Sequence, residues 1–433
     1  MTEVVTWGSG GTPKATESQY YDNGDIPWLI IGDLNDGVVT ESQSKITELG
    51  LKNSSAKIIP AGTLLVAMYG SIGKLGITGI ECCTNQAIAF AKELRGVSTK
   101  YMFYYMAMMK SKLISMGKGG TQNNISQTIL KSLNVIVPPP EVQDNLVFRI
   151  EELFSELDKA VETLQTTKQQ LAVYRQAVQK EAFEGKLTKN WRNSASIRLS
   201  DYVATSIAKR DSIAETHKTK KLRYSFPEKL LLCAIPKDWQ FAQIGDVAWL
   251  IKDGPHYSPE YVEEGVPFIT GGNVRPSGVD FASAKKISKE LHEELNRRCK
   301  PEKGDLLYTK GGTTGIARVN TYDFPFSVWV HVAVIKFVDT IVPEYFQHVL
   351  NSPFCYQQSQ EYTHGVGNQD LGLTRMINIV FPICSIEEQK QIVYELESRL
   401  SVCESIEQTV DTALAQADAM RQSILKQAFE GGF

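Results

Sequence analysis

Polar loops in the first half of the chain carry side chains suited to nucleic acid. Residues 117–124 combine glycines with lysine, threonine, glutamine and asparagine. Asparagine and glutamine can each form two hydrogen bonds with adenine, and lysine can contact guanine or phosphate. We therefore predict that the first half binds nucleic acid through Lys14, Tyr69, Ser71, Lys74, Lys118, Thr121, Gln122, Asn123 and Asn124.

A second group of polar loops lies at matching places in the second half. Residues 364–370 have a similar composition with less charge. Glycine, asparagine and threonine also build ordinary turns, so a turn without a ligand is the alternative interpretation of any single residue. The recurrence of the loops favours a binding role for each group. The predicted contact residues here are His256, Tyr257, Arg275, Lys310, Thr313, Thr314, Asn368 and Gln369.

The motifs of self-contained catalysis are absent. The glycine-rich residues 70–74 and 310–315 are too short for the phosphate-binding loop G-x-x-x-x-G-K-S/T and lack the G-x-G-x-x-G pattern. The amino-methyltransferase pattern Asn/Asp-Pro-Pro-Phe/Tyr does not occur, and neither do H-E-x-x-H and G-x-S-x-G. His331 stands in an apolar run, which favours a core or rim residue over a ligand. We expect no catalytic residue, no metal site and no cofactor bound by this chain.

Composition and charge narrow the class of protein. Lys and Arg number 46 and Asp and Glu 49, which gives a formal net charge of -3. That balance excludes a histone-like protein that holds DNA by bulk charge, but it permits a local basic face. Seven cysteines occur without a C-x-x-C pair, so we expect reduced thiols. No secretory signal is visible at the start and no apolar run approaches the roughly 20 residues of a membrane span, so we expect a cytoplasmic protein.

An internal repeat organises the chain. The segment RQAVQKEAFEG at residues 175–185 is matched by RQSILKQAFEG at residues 421–431. Shorter echoes precede it, such as Gly-Thr-Leu-Leu from Gly62 and Gly-Asp-Leu-Leu from Gly304. Because the order of the echoes is preserved, we interpret the chain as a tandem repeat with a spacing of about 245 residues rather than as chance similarity.

Each repeat ends in a segment with apolar residues at alternating spacings of four and three. This spacing predicts a helix of about 45 residues with a coiled-coil seam. Antiparallel pairing of the two helices would bury both seams. The predicted seam and subunit-docking residues are Leu146, Ile150, Leu157, Leu164, Leu171, Val178, Phe183, Ile392, Leu396, Ile406, Val410, Met420, Ile424 and Phe429.

The remainder of each repeat favours a mixed α/β (α+β) domain. Short β-branched and aromatic runs alternate with glycine, asparagine and proline, which predicts strands at residues 28–31, 64–69 and 328–337. Helices are expected at residues 100–116 and 343–356.

The predicted organisation follows from the repeat. Residues 187–235 are polar and basic, and we interpret them as a connector with some helix whose charges form a solvated face rather than a binding patch. We expect α/β target-recognition domains at residues 1–140 and 236–384 and long helices at residues 141–186 and 385–433.

These features resemble the specificity (S) subunit of type I restriction–modification systems. The resemblance rests on Val-Pro-Pro-Pro-Glu-Val-Gln at residues 137–143, which leads into a helix closing with Ala-Phe-Glu-Gly, and on the matching run that begins at Pro382. Gly-Gly-Thr-Pro from Gly10 and Pro-Lys-Asp-Trp from Pro236 also match. The resemblance covers almost the whole chain. One difference separates the repeats: the second has a lead-in, residues 235–245, without a counterpart in the first.

The resemblance implies a non-catalytic DNA reader. Each α/β domain would read one half of a split target in double-stranded DNA, and the helix pair would fix an unread spacer between half-sites about one helical turn apart, roughly 34 Å. The implied partners are two methyltransferase subunits, which use S-adenosylmethionine, and two motor–nuclease subunits, which use ATP and magnesium. The alternatives are a self-contained methyltransferase or nuclease, and a coiled-coil scaffold whose α/β domains bind another protein.

Overall fold

A computed structural model describes residues 1–117, 124–195, 201–227, 233–365 and 369–431. It divides into two compact units. The first is Met1–Thr166 with Val410–Phe433, and the second is Thr167–Thr409. Both boundaries fall inside long helices, so each unit contains one α/β domain and a part of each helix.

The first α/β domain alternates short strands with short helices. Its strands are β1 (Val5–Ser9), β2 (Ile26–Leu29), β3 (Gly37–Val39), β4 (Lys45–Ile46), β5 (Leu64–Ala67), β6 (Leu75–Thr78), β7 (Cys83–Thr84) and β8 (Ile88–Leu94). Its helices are α1 (Glu48–Lys52), α2 (Thr99–Met108), α3 (Lys110–Met116) and α4 (Gln127–Ser132), with 3-10 turns at Ser18–Tyr20 and Ile31–Asp33.

Two sheets form this domain. The larger has the order β1-β8-β5-β6-β3, in which only β3 and β6 pair in parallel. The smaller has the order β4-β2-β7. The central strand β5 is buried along its whole length, as its Leu-Leu-Val-Ala sequence requires. Helix α2 begins where the Ser98 hydroxyl accepts a hydrogen bond from the Tyr101 N–H at 3.2 Å, and its buried face covers the larger sheet.

A long helix and a connector follow. Helix α5 runs over Pro140–Phe183, and the connector contains α6 (Lys189–Ser194) and α7 (Tyr202–Thr216). Proline is favoured in the first turn of a helix, so Pro140 opens α5 and the two preceding prolines end the upstream chain. Gly185, just beyond α5, has a φ of 69°, the left-handed conformation of a helix C-cap.

The second α/β domain has a larger set of elements. Its strands are β9 (Gln240–Gln243), β10 (Ala248–Asp253), β11 (Val266–Ile269), β12 (Val274–Arg275), β13 (Gly278–Val279), β14 (Lys285–Ile287), β15 (Leu306–Thr309), β16 (Ala317–Val319), β17 (Ser327–Val328), β18 (Val332–Phe337) and β19 (Val380–Ile383). Its helices are α8 (Ile244–Val247), α9 (Lys289–Asn296), α10 (Pro343–Leu350), α11 (Pro353–Glu361) and α12 (Leu373–Met376), with a 3-10 turn at Gly271–Asn273. The long helix α13 (Ile386–Glu430) follows.

The strand order of the first domain recurs in the second. The sheet β10-β18-β15-β16 corresponds to β1-β8-β5-β6, and β14-β11-β17 corresponds to β4-β2-β7. A register shift interrupts β1 against β8 and also β10 against β18. The tandem repeat and the mixed α/β class predicted from the sequence are therefore present in the fold.

Several predicted elements are divided in two. The strand expected at residues 328–337 is β17 and β18, because the chain passes between two sheets through Trp329–His331. The helix expected at residues 343–356 ends at Leu350, and the Ser352 hydroxyl caps a new helix with Pro353 in its first turn. The segment 100–116 is also divided, into α2 and α3, but the break at Met109 has neither a side-chain cap nor a proline.

The connector packs against the second domain. Arg210 Nη1 donates to the Gly245 carbonyl at 2.7 Å, and the buried Ser206 hydroxyl lies 2.7 Å from that of Thr340. Lys209, Lys218, Lys220, Lys221 and Arg223 of the connector are exposed. Exposure fits both a solvated face and a binding patch, so the solvated face stays a prediction. The connector is thus part of the second unit rather than a separate linker.

The two long helices pair antiparallel within each unit. In the first unit, Ile150 near the start of α5 shares a core with Leu425 near the end of α13. In the second unit, Val178 near the end of α5 shares a core with Leu396 near the start of α13. No described helix is both long and apolar enough to cross a membrane.

The seam between the helices differs in part from the prediction. Buried residues of the predicted set are Ile150, Val178, Phe183, Ile392, Leu396 and Val410. Half-buried residues are Leu146, Leu157, Leu164, Leu171, Ile424 and Phe429. Ile406 and Met420 are exposed, so their assignment to the seam is wrong.

Charged residues explain this difference. Cross-helix contacts are made instead by Glu407, which follows Ile406, and by Arg421, which follows Met420. Arg175 Nη2 lies 2.8 Å from Glu407 Oε2, and its repeat counterpart Arg421 pairs with Asp158. A search for apolar periodicity passes over such residues.

Candidate nucleic-acid interface

In the second domain, the loops after β10, β15 and β17 lie against one another. A Cβ on Gly254 would stand 1.8 Å from the Val328 carbonyl oxygen, so only glycine allows this approach. The Lys310 N–H donates to the His331 carbonyl at 2.9 Å. Trp329 Nε1 donates to the Tyr257 carbonyl at 3.1 Å. The three loops therefore form one continuous surface at the ends of their strands.

A buried carboxylate organises this surface. Asp253, the last residue of β10, is 3% exposed. Its carboxylate oxygens lie 3.0 Å from Arg298 Nη2, 3.3 Å from His256 Nε2 and 3.4 Å from Lys310 Nζ. Lys310 Nζ also lies 3.1 Å from Asp370 Oδ1. Because an unpaired buried carboxylate is costly, the acid holds three basic side chains close together.

Two predicted contact residues are buried. Lys310 is held by its carboxylates, and the Thr314 hydroxyl lies 3.1 Å from both Gln360 Nε2 and Thr363 Oγ1. Their burial contradicts the prediction that these two side chains contact DNA directly. They position the loop that contains them.

The remaining predicted residues of this domain fall into two groups. His256, Tyr257, Thr313 and Gln369 are exposed, and the Gln369 carbonyl accepts from the Gly312 N–H at 3.1 Å. Arg275 lies on the separate β12–β13 hairpin, where it pairs with Asp280 at 2.9 Å. Asn368 lies outside the described residues.

Corresponding loops of the first domain meet in the same manner. A Cβ on Gly10 would stand 1.9 Å from the Thr84 carbonyl oxygen, and the Gly11 N–H donates to that oxygen at 2.9 Å. The Thr12 hydroxyl donates to the Gln86 side chain. The loops after β1 and β7 therefore form a surface like that of the second domain.

Most of the predicted residues that the structure describes in the first domain are exposed. Lys14, Tyr69, Ser71 and Asn124 are exposed, and a β-bridge joins Tyr69 to Asn124. Lys74 is half-buried, with Nζ 3.4 Å from the Ile31 carbonyl oxygen. Lys118, Thr121, Gln122 and Asn123 lie outside the described residues. Contact of these side chains with DNA stays a prediction.

Electrostatics distinguish the two surfaces. Ser9 ends β1 where Asp253 ends β10, and Met68 follows β5 where Lys310 follows β15. These two positions of the first surface therefore cannot form the ion pair that Asp253 and Lys310 form. Burial and the neighbouring Lys310 lower the pKa of His331, whose ring centre lies 4.5 Å from that of Trp329. The lowered pKa favours the neutral ring at neutral pH. His331 is half-buried at the rim of this surface, and its expected role as a core or rim residue rather than a ligand stays a prediction.

Sequence reasoning missed Asp253, Arg298 and Trp329. An acid directly before Gly-Pro at a strand end was a usable signal for Asp253, whereas Arg298 stands in no motif. In the part of the chain that the structure describes, no group of three or more His, Cys, Asp or Glu side chains is arranged to hold a metal ion.

Comparison with known sequences identifies related proteins. Residues 1–172 and 236–415 match the family model of the type I restriction modification DNA specificity domain. The type I restriction enzyme EcoBI specificity subunit of Escherichia coli is 26% identical over 383 residues, covering 85% of this chain and 73% of that protein. The EcoKI specificity subunit of Escherichia coli strain K12 is 21% identical over 451 residues, covering 100% of this chain and 88% of that protein.

Solved structures share the fold. A chain from a study of complex assembly and conformational transition of the type I R-M system matches with a TM-score of 0.65 and 14% identity, covering 99% of this chain and 95% of that one. The HsdS subunit from Thermoanaerobacter tengcongensis matches with a TM-score of 0.52 and 13% identity, covering 100% of this chain and 95% of that one.

Proposed function

Because the chain belongs to the family of type I restriction modification DNA specificity proteins, we propose that each of its α/β domains reads one half of a split DNA target. The chain is the DNA-recognition subunit of a type I restriction–modification system, and its role is recognition rather than catalysis.

The observation that supports two half-sites is the repetition of the loop surface. In both domains, loops after equivalent strands are brought together by a glycine that lies against a carbonyl oxygen, Gly10 in one and Gly254 in the other. The exposed side chains on the two surfaces differ, so the two half-sites would have different sequences. A good bidentate base contact discriminates by about 1–3 kcal/mol, so a few contacts in each domain supply about 4–10 kcal/mol.

The long helices would bind the partner subunits and set the spacer. Phe148 on α5 and Tyr394 on α13 occupy equivalent positions in the repeat and are 69% and 68% exposed. Two equivalent exposed aromatic residues fit the docking of two copies of one protein, which we assign as the methyltransferase subunits. Two motor–nuclease subunits would complete the complex in the cytoplasm. S-adenosylmethionine, ATP and magnesium would belong to those partners.

A domain exchange tests this proposal. Residues 1–140 are replaced by the first domain of another family member, and methylated adenines are mapped across the genome of cells that also express the methyltransferase subunit. We expect a split motif in which only one half-site changes. An unchanged motif would support the scaffold alternative, and a change in both halves would contradict the assignment of one domain to one half-site.

A further inference from the structure

Arg298 combines an exposed side chain with a buried anchor. It follows α9, and its side chain is 55% exposed, whereas that of Asp253 is 4% exposed. Nη2 lies 3.0 Å from Asp253 Oδ1. Because Asp253 is the last residue of a sheet strand, the guanidinium is tied to a rigid element. The arginine is therefore restrained at its inner edge and accessible elsewhere.

A restrained guanidinium is suited to reading a base. Its five N–H donors lie in one plane, so donors remain after Asp253 has taken one of them. Guanine presents the O6 and N7 acceptors side by side in the major groove, and arginine contacts both in the commonest specific protein–DNA contact. Restraint by the carboxylate lowers the entropy cost of that two-bond contact.

The local charge favours base reading over a phosphate contact. Three basic side chains, Arg298, Lys310 and Arg375, are paired with two carboxylates, Asp253 and Asp370. Within this network the five charges sum to one unit of positive charge, so the network itself offers a phosphate little non-directional attraction. The groups that this arrangement leaves available to DNA are the directional N–H donors of Arg298.

We propose that Arg298 reads the edge of a guanine in the half-site bound by the second domain, and that Asp253 is its positioning residue. This inference rests on the proposed function. It applies to one half-site, because the first domain has Ser9 and Met68 where the second has Asp253 and Lys310.

The test uses the full chain together with its methyltransferase subunits. Arg298→Ala and Arg298→Lys are compared with Arg297→Ala, which removes the same charge from the exposed neighbouring arginine. The methylated motif is mapped, and binding is measured by competition with duplexes that each carry one base-pair change. For Arg298→Ala we expect discrimination at one G·C pair of the second half-site to fall about 10- to 100-fold. For Arg298→Lys we expect a smaller fall in discrimination at that pair, and for Arg297→Ala we expect an unchanged methylated motif.

A positioning role has a separate readout. Asp253→Asn should lower discrimination at the same base pair as Arg298→Ala, and the double variant should lower it no further than Arg298→Ala alone, because at this pair the carboxylate acts through the arginine. A further loss in the double variant would show that Asp253 affects this base pair independently of Arg298 and would contradict the positioning role.

Three results would overturn the proposal. They are a second half-site without guanine, an unchanged motif in Arg298→Ala, and uniformly weaker binding with the motif intact, which would indicate a phosphate contact. A split motif that Arg298→Ala leaves unchanged refutes only this inference. Absence of any split motif in the wild-type complex refutes the proposed function itself.

Discussion

The two repeats attach their long helices in the same way but complete their domains differently. Gln143 and Gln389 occupy equivalent sites near the helix starts, and both are buried. Gln143 accepts from the Ser98 N–H at 2.9 Å and donates to the Gly96 carbonyl at 2.7 Å. Gln389 accepts from the Val342 N–H at 2.8 Å and donates to the Thr340 carbonyl at 3.0 Å.

The phenylalanines of the two Ala-Phe-Glu-Gly motifs make equivalent contacts. The Phe183 ring contacts Tyr345 in the second unit, and the Phe429 ring contacts Tyr101 in the first. The end of each helix thus packs on the domain that precedes the other helix. Residues that the repeat shares therefore encode the attachment of helix to domain.

The second domain contains an additional strand that comes from the lead-in, which has no counterpart in the first repeat. Strand β9 in the lead-in pairs with β19, and Ile383 of β19 is fully buried. In the first domain, the equivalent Val137 is 43% exposed and its neighbour Ile136 is 71% exposed. Similar topology therefore does not guarantee similar burial, and the difference between the repeats lies at this edge.

The largest expected difference between the repeats is the loss of stability on substituting Glu388 or its counterpart in the first repeat. The buried Glu388 carboxylate accepts hydrogen bonds from Thr188 at 2.7 Å, Arg192 Nε at 2.8 Å and Trp239 Nε1 at 3.0 Å. The Arg192 side chain is 12% exposed, so Glu388→Ala leaves a poorly solvated cation without its partner. We expect a loss of about 3–5 kcal/mol in the free energy of unfolding of the second unit. Urea denaturation would measure it, and hydrogen exchange would locate it.

The matched control is Val142→Ala at the equivalent position of the first repeat. Val142 is 49% exposed, so we expect a change within about 0.5 kcal/mol. Equal losses for the two variants would show that the lead-in does not distinguish the repeats.

The second prediction concerns the feature that the repeats share. Gln143→Ala and Gln389→Ala should each lower the free energy of unfolding of their own unit by about 2 kcal/mol, because buried backbone groups lose their partners. Hydrogen exchange resolved by peptide would report the two units separately. Losses that differ by more than about 1 kcal/mol would mean that the common hydrogen bonds have different roles in the two repeats.

The sequence predicted the repeat, the helix extents and the α/β class, because these depend on apolar spacing and on punctuation by glycine and proline. It failed where charged residues replace apolar ones: Glu407 and Arg421 lie between the helices, and apolar spacing assigned Ile406 and Met420 instead. It also placed Lys310 on the surface. The carboxylates that bury Lys310 come from distant parts of the chain, and only the fold brings them together.

The smallest expected difference between the repeats is in how the stability of each domain depends on pH in the acidic range. Glu302 accepts hydrogen bonds from Lys300 and Lys336, each at 2.8 Å, and these bonds lower its pKa from 4.5 to about 2. The folded state then holds this proton less tightly than the unfolded state. Its contribution to stability is present above pH 4.5 and is lost as the pH falls towards about 2. The neighbouring Asp305 acts in the opposite direction, because burial raises its pKa.

Comparison of the wild type with Glu302→Gln isolates the first effect, since Asp305 is common to both proteins. Glu302 is half exposed, so the difference in the free energy of unfolding should be only about 0.5 kcal/mol at neutral pH and should shrink as the pH falls from 4.5 to 3. Denaturation at a series of pH values measures it, with Glu263→Gln as a control at an exposed acid of the same domain. A difference in the free energy of unfolding that stays constant with pH would show that the ion pairs of Glu302 are not its cause. The first repeat has Pro60 and Thr63 in place of Glu302 and Asp305, so its domain should lack this response.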